Sequence, residues 1–177
     1  MGTGNFRSSG AAIVLLSGLP GTGKTTFARA LGARLRGVHI ESDAVRRELF
    51  ETPRYTAGEH GRVFGEVERR VEAALSASQT VILDATNLQR KDRRRYERLA
   101  LPRGVRLVAV RMVAPETTAR ERLGRPREGF SQAGERVYDL MRDKPEPFRG
   151  PVVVVDSRYP LDAALTLVTR LLGQSGG

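Results

Sequence analysis

The segment Gly18-Leu19-Pro20-Gly21-Thr22-Gly23-Lys24-Thr25 satisfies the spacing G-x-x-x-x-G-K-[ST] without a mismatch. Glycines at these intervals let backbone N–H groups turn inward around an anion. A helix starting at the same point adds its N-terminal dipole to the attraction. Lys24 can then reach the β- and γ-phosphates, and the Thr25 hydroxyl is placed to ligate Mg²⁺. Gly18, Gly21, Thr22, Gly23, Lys24, Thr25 and Thr26 are the candidate contacts to a nucleoside triphosphate.

Two acidic positions downstream suit phosphoryl transfer, in which a carboxylate near the acceptor hydroxyl takes its proton. Asp43, in Ile40-Glu41-Ser42-Asp43-Ala44-Val45-Arg46, follows a short apolar run. Arg46 stands three residues on, so a helix starting near Asp43 turns both side chains to one side. A carboxylate for the hydroxyl and a guanidinium for an acceptor phosphate is one reading. An N-terminal helix acid beside a solvated arginine is the other. Asp84 closes the apolar run Val81-Ile82-Leu83, where a Mg²⁺-water ligand is expected, and Thr86 and Asn87 add hydrogen-bonding groups on the same edge. Turn capping by Asp84, Thr86 and Asn87 is compatible with those roles. In Arg120-Glu121-Arg122-Leu123-Gly124-Arg125-Pro126-Arg127-Glu128-Gly129, Gly and Pro suggest a flap that carries arginines over the triphosphate. Arg122 and Arg125 are the first candidates there, followed by Arg127; a solvated arginine-rich loop is the alternative. The two histidines, His39 and His60, are distant in sequence and suggest neither a metal nor a catalytic triad.

These groups need a scaffold, and the hydrophobic pattern supplies one. Short Val/Ile/Leu-rich runs at 11–17, 38–40, 80–84, 105–112 and 152–156 read as strands buried on both faces of a parallel sheet. Phe27, Leu31 and Leu35 repeat at four-residue spacing, as do Val63, Val67 and Val71, and each set makes one apolar helix face. Further helices fit 43–50, 91–100, 115–123, 132–143 and 161–172. The alternation predicts an α/β three-layer sandwich with a five-stranded parallel sheet. Residues 1–10 are rich in Gly and Ser and read as a disordered tail, and residues 11–177 as a single domain.

The composition excludes several classes. At 40% hydrophobic and 28% charged residues the 177-residue chain can fill a core, which rules out wholesale disorder. Without cysteine it has no disulfide framework, thiolate metal site or cysteine nucleophile. No apolar run reaches membrane-spanning length, and the first residues lack the apolar stretch of a signal peptide, so a cytoplasmic location is expected. The net charge of +10 makes nucleic acid a candidate partner. Yet 27 of the 30 basic residues are arginine, a bias that coding composition produces as readily as function.

The ordered set GLPGTGKTT, Asp43-x-x-Arg46, VILDATNLQRKDRRR, the arginine flap and Met141 to Pro147 resembles a family of P-loop kinases. That family includes phage-type polynucleotide 5′-kinases and bacterial predicted kinases with an AAA-type ATP-binding domain. The resemblance runs from Ile13 to Asp156. It implies the strand order 2-3-1-4-5, Asp43 as general base, Arg46 on a substrate phosphate, and Arg122 or Arg125 on the donor phosphates, with ATP and Mg²⁺ as cofactors. It also implies adenine packing against Asp156-Ser157-Arg158-Tyr159-Pro160. One position departs from the phage-type motif, where an Asp directly precedes Thr-Asn; here it is Ala85. The chain lacks a guanine-reading Asn-Lys-x-Asp, which favours ATP as donor.

The acceptor is less constrained. Arg90 to Arg98 carries six positive and two negative charges. On a helix it is either a basic rim for a nucleic-acid backbone with Tyr96 free to stack, or a solvated face with Tyr96 and Leu99 turned to the core. A polynucleotide 5′-hydroxyl is the leading expectation. A small acceptor such as a sugar acid, nucleoside or antibiotic is the alternative, and an ATP-binding module without acceptor is a third. No membrane or protein partner is implied.

Overall fold

A computed structural model describes residues 10–125 and 134–173. The tail at 1–9 and the part of the flap that carries Arg127 lie outside these residues. The elements are β1 (Ala12–Ser17), α1 (Lys24–Leu35), β2 (Val38–Glu41), α2 (Ser42–Leu49), α3 (Ala57–Ser76), β3 (Thr80–Asp84), α4 (Arg90–Ala100), β4 (Arg106–Val113), α5 (Glu116–Gly124), α6 (Glu135–Met141), β5 (Val153–Asp156) and α7 (Asp162–Leu171). The five strands form one sheet in the order β2-β3-β1-β4-β5, and every neighbouring pair is parallel. The strands fall within a residue or two of the apolar runs. Gly10, assigned to the tail by composition, accepts a hydrogen bond from the Thr80 hydroxyl at 3.2 Å.

Because side chains alternate along a strand, each face of the sheet gathers its own core. Ile13, Leu15, Val81 and Leu83 meet Val63, Val67 and Val71 of α3 and Tyr96 of α4. Val14, Leu16, Ile82, Val110 and Met112 meet Phe27, Ala28 and Leu31 of α1 and Leu165 and Val168 of α7. Burial of each such aliphatic side chain contributes about 1.5–3 kcal/mol, which explains why the four-residue repeats hold their helices against the sheet. A smaller cluster of Ala119, Leu123 and Tyr138 joins α5 to α6 and packs against Leu19 of the glycine loop.

Parallel pairing has a direct consequence for the site. The carboxyl ends of all five strands lie on one edge, so the glycine loop after β1, the start of α2 after β2, and Asp84 to Asn87 after β3 share that edge. Among the described residues, no helix is long and apolar enough to cross a membrane.

Candidate active site

The glycine loop is held by close approaches. A Cβ on Gly18 would lie 2.5 Å from the Met112 carbonyl oxygen, and one on Gly21 would lie 2.5 Å from that of Ala119. Gly21 also has φ +80°, a conformation that side-chain-bearing residues rarely adopt. Gly21→Ala is therefore expected to displace α5 from the loop and weaken nucleotide binding at least about tenfold, alongside a loss of about 1–3 kcal/mol of stability. Titration with a fluorescent ATP analogue and a thermal melt would check both. Within the loop, the Thr22 hydroxyl donates to the Leu19 carbonyl at 2.7 Å, and Lys24 Nζ donates to the same oxygen at 3.0 Å. Thr25 and Thr26 lie in the first turn of α1, Thr25 half-buried and Thr26 exposed.

The β3 end is stitched to this loop. The Gly18 N–H donates to the Thr86 carbonyl at 3.0 Å. Asn87 is only 1% exposed; its amide nitrogen donates to the Leu16 carbonyl at 2.7 Å and its own carbonyl accepts from the Ser17 hydroxyl at 3.1 Å. Asn87 has φ +42°, a left-handed conformation that Asn tolerates better than most residues. Its side chain thus holds the β1–β3 junction, while half-buried Thr86 faces the site edge more openly.

Arg122 of α5 lies against the loop as well. Its guanidinium donates to the Gly21 carbonyl at 3.3 Å, to the Ser157 hydroxyl at 2.6 Å and to the Ser157 carbonyl at 3.0 Å. It therefore bridges the phosphate cradle and the loop after β5, where Tyr159 is exposed and Arg158 pairs with Asp156 at 2.6 Å. Arg125 follows α5 directly and is exposed, where the described part of the flap ends.

Next to the loop is a polar cluster that the sequence pattern does not reveal. Glu41 and Asp84 are register partners across β2 and β3. His39 Nε2 approaches Asp84 Oδ2 to 3.3 Å, and ligating atoms of His39, Glu41 and Asp84 all lie within 4.8 Å of one another. Burial first, and then the charges of Asp84 and Asp43, push the Glu41 carboxyl above its ordinary value. Two carboxylates converging in a buried spot suit a divalent cation, with Asp84 on the side nearest β1. His39 thus lies against Glu41 and Asp84, a neighbourhood that its place in the sequence does not suggest. Only the pairing register between strands 43 residues apart could have signalled it.

Asp43 and Arg46 lie one turn apart on α2. Arg46 is 6% exposed, and its Nε and Nη1 lack hydrogen-bond partners. The Glu59 carboxylate stands off at 3.7 Å. Glu59 is engaged elsewhere, accepting from the backbone N–H groups of Arg54 and Tyr55 at 2.9 and 2.6 Å. That capping holds Tyr55 at φ +56° with the Arg46 guanidinium 4.7 Å from its ring centroid. Burial, followed by the negative charge of Asp43, raises the Tyr55 phenol above its usual range. Tyr55 and Glu59 are site neighbours that no motif marks.

The helix at 90–100 does not serve as a continuous basic rim. Tyr96 is wholly buried and cannot stack on a base; Leu99 packs on the same core. Arg93 is 4% exposed, and it donates to the carbonyls of Asn87, Leu88, Glu146 and Pro147 at 2.6–3.1 Å. Arg95 pairs with Glu68 at 2.9 Å.

Comparison with known proteins agrees with this architecture. A family model described as an AAA domain matches residues 13–148. The chain belongs to this AAA domain family. Its fold is that of P-loop kinases. A sugar kinase from a Janibacter species superposes with a TM-score of 0.70 at 16% identity, over 94% of this chain and 96% of that one. A gluconokinase from Sinorhizobium meliloti gives 0.66 at 21% identity, covering 94% of each chain. The APS kinase of Mycobacterium tuberculosis, solved with AMPPNP and APS, gives 0.62 at 17% identity, over 93% of this chain and 98% of that one. No curated protein matches the sequence.

Proposed function

We propose that the protein is an ATP-dependent kinase that transfers the γ-phosphoryl group to a hydroxyl on an acceptor carrying a neighbouring anionic group. The observation that carries the reading is Arg46, a nearly buried guanidinium one helical turn from the Asp43 carboxylate, with two nitrogens that lack a hydrogen bond and only a 3.7 Å ion pair to Glu59. A buried donor left without partners costs about 1–3 kcal/mol, more when it is charged, and an acceptor anion would supply what it lacks.

The residues divide the work. The loop N–H groups and Lys24 hold the donor phosphates, with Lys24 exchanging the Leu19 carbonyl for phosphate oxygen. Arg122 neutralises donor charge from the α5 side, with Arg125 as a second candidate. Thr25 and Asp84 would hold Mg²⁺, with Glu41 close by. When bound, the ion supplies neutralisation of charge on the β- and γ-phosphate oxygens. Asp43 accepts the proton of the acceptor hydroxyl, Arg46 orients the acceptor through its anion, and Thr86 lines the same edge. Asn87 acts one step back by fixing the junction beneath the loop.

A small acid such as a sugar acid fits best, because burial of Tyr96 and Arg93 removes the stacking residue and part of the charge from the proposed polynucleotide surface. A polynucleotide 5′-hydroxyl, which has a backbone phosphate nearby, is the second reading, favoured by the net charge of +10. Incubation with γ-labelled ATP, a sugar acid, its neutral sugar and a 5′-hydroxyl oligonucleotide distinguishes them. Label is expected in the sugar acid and not in the neutral sugar. ATP turnover without label in any acceptor would sink the kinase assignment. Arg46→Ala is expected to raise the acceptor KM about 10–100-fold with the ATP KM unchanged, as for loss of a charged hydrogen bond. An equal effect on a neutral acceptor would refute the anion role.

A further inference from the structure

A second cavity lies away from the glycine loop, on the face of the sheet that α4 covers. It encloses about 310 Å³ between α4, the β4 strand and the segment at 148–151. Its floor is apolar, formed by Leu107, Ala109 and the Phe148 ring. Phe148 is held in place because Arg93 stacks on it at 4.2 Å. Beyond α4 the sheet is uncovered: Val154, on the same face of β5, is 58% exposed.

The rim is cationic. Arg90 and Arg94 enter from the first turns of α4 and Arg149 from the opposite wall. Their guanidinium groups form no ion pair among the described residues, in contrast to Arg95, Arg103 and Arg120, which each pair with a carboxylate. Glu97 is the acidic residue lining the cavity, and the Glu146 carboxylate accepts from the Arg90 backbone N–H at 2.6 Å. Desolvation first, and then the like charges of Arg149 and Arg94, pull the Arg90 guanidinium below its ordinary value. Arg90, repelled by Arg94 and Arg149 and only partly offset by Glu146 and Glu97, sits with them beside a fixed aromatic wall, an arrangement suited to receive an anion.

We propose that this cavity is a binding site, separate from the phosphate loop, for a small organic anion that joins a phosphate-like group to a flat apolar body. The arginines contact the anionic end and the Leu107, Ala109 and Phe148 floor takes the flat body. The volume is at the lower end of the range for ligand pockets, enough for one aromatic bicycle and its anion. The inference does not depend on the kinase reading.

The test is a fluorescence titration of the full chain with 1-naphthyl phosphate, with 1-naphthol and inorganic phosphate as comparison ligands. Saturable binding is expected, tighter than for either comparison ligand. The double variant Arg94→Ala/Arg149→Ala should weaken it at least about tenfold, because two charge-assisted contacts are lost. Both residues are exposed, so an unchanged melting temperature is expected and would confirm that the fold is kept. Ala109→Leu, which fills the floor and leaves the charges in place, should weaken binding as well. Lys24→Ala should leave it within about twofold. The proposal is overturned if binding does not saturate, if the double variant binds normally, or if 1-naphthol or phosphate alone binds as tightly. Loss of binding in Lys24→Ala would place the probe in the phosphate loop and overturn it equally.

Discussion

Asp43→Ala is expected to slow phosphoryl transfer about 10²–10⁴-fold while ATP affinity stays within about twofold. The expected size follows from the chemistry of a positioned base, whose loss removes proton acceptance in the transition state and little ground-state binding. The selectivity follows from the fold. Asp43 lies in the first turn of α2 at the carboxyl edge of the sheet, apart from the β1–α1 loop proposed to hold the donor phosphates. The Asp43 charge raises both the Glu41 carboxyl and the Tyr55 phenol, so it acts on the carboxylate cluster and on the ring beside Arg46. Single-turnover rates with labelled ATP, compared with nucleotide titration, would separate the two effects. A collapse of ATP binding in this variant would make Asp43 a donor-site or metal residue and defeat its assignment as base.

Arg93→Ala is expected to cost about 3 kcal/mol, a fall of about 6–12 °C in melting temperature for a chain of this size. The reason is arithmetic of partners. One planar guanidinium satisfies four carbonyl oxygens, two just after β3 and two at 146–147. Truncation leaves these acceptors to water that enters poorly on the Asn87 side, where the structure is buried. Arg93→Lys should recover only part of the loss, because an ammonium lacks the fork that reaches both segments. A thermal melt near the wild-type value for the alanine variant would show that the four carbonyls are readily hydrated and that the clamp is dispensable.

Local patterns were the most legible part of this chain. The glycine loop, its strand and its helix are contiguous, so spacing alone defines them, and the Val/Ile/Leu runs mark all five strands, although only β1 and β3 are buried along their whole length while β4 and β5 leave one face partly open. The polar residues were harder to read. Nothing in the string His39-Ile40-Glu41 indicates that its first and third members meet Asp84, since that meeting is created by strand register. Arg93 resembles the solvated arginines on either side of it, and only the return of the chain at 146–148 buries it. Asn87 appears from sequence as a substrate contact; the structure commits its amide nitrogen to the backbone of β1. Tyr55 depends on Glu59 capping the turn before α3, a contact set by backbone geometry rather than by a motif. The flap composition singles out Arg122 as a candidate but gives no sign of its bridge to Ser157.

The bond from the Gly18 N–H to the Thr86 carbonyl ties the glycine loop to the segment after β3 with one main-chain strut. In the kinase proposed above, the backbone on one side of that strut takes the donor phosphates, and the threonine on the other side, which carries the carbonyl, borders the acceptor. Under the kinase proposal, a shift of either wall pulls on its counterpart through a few ångströms of main chain.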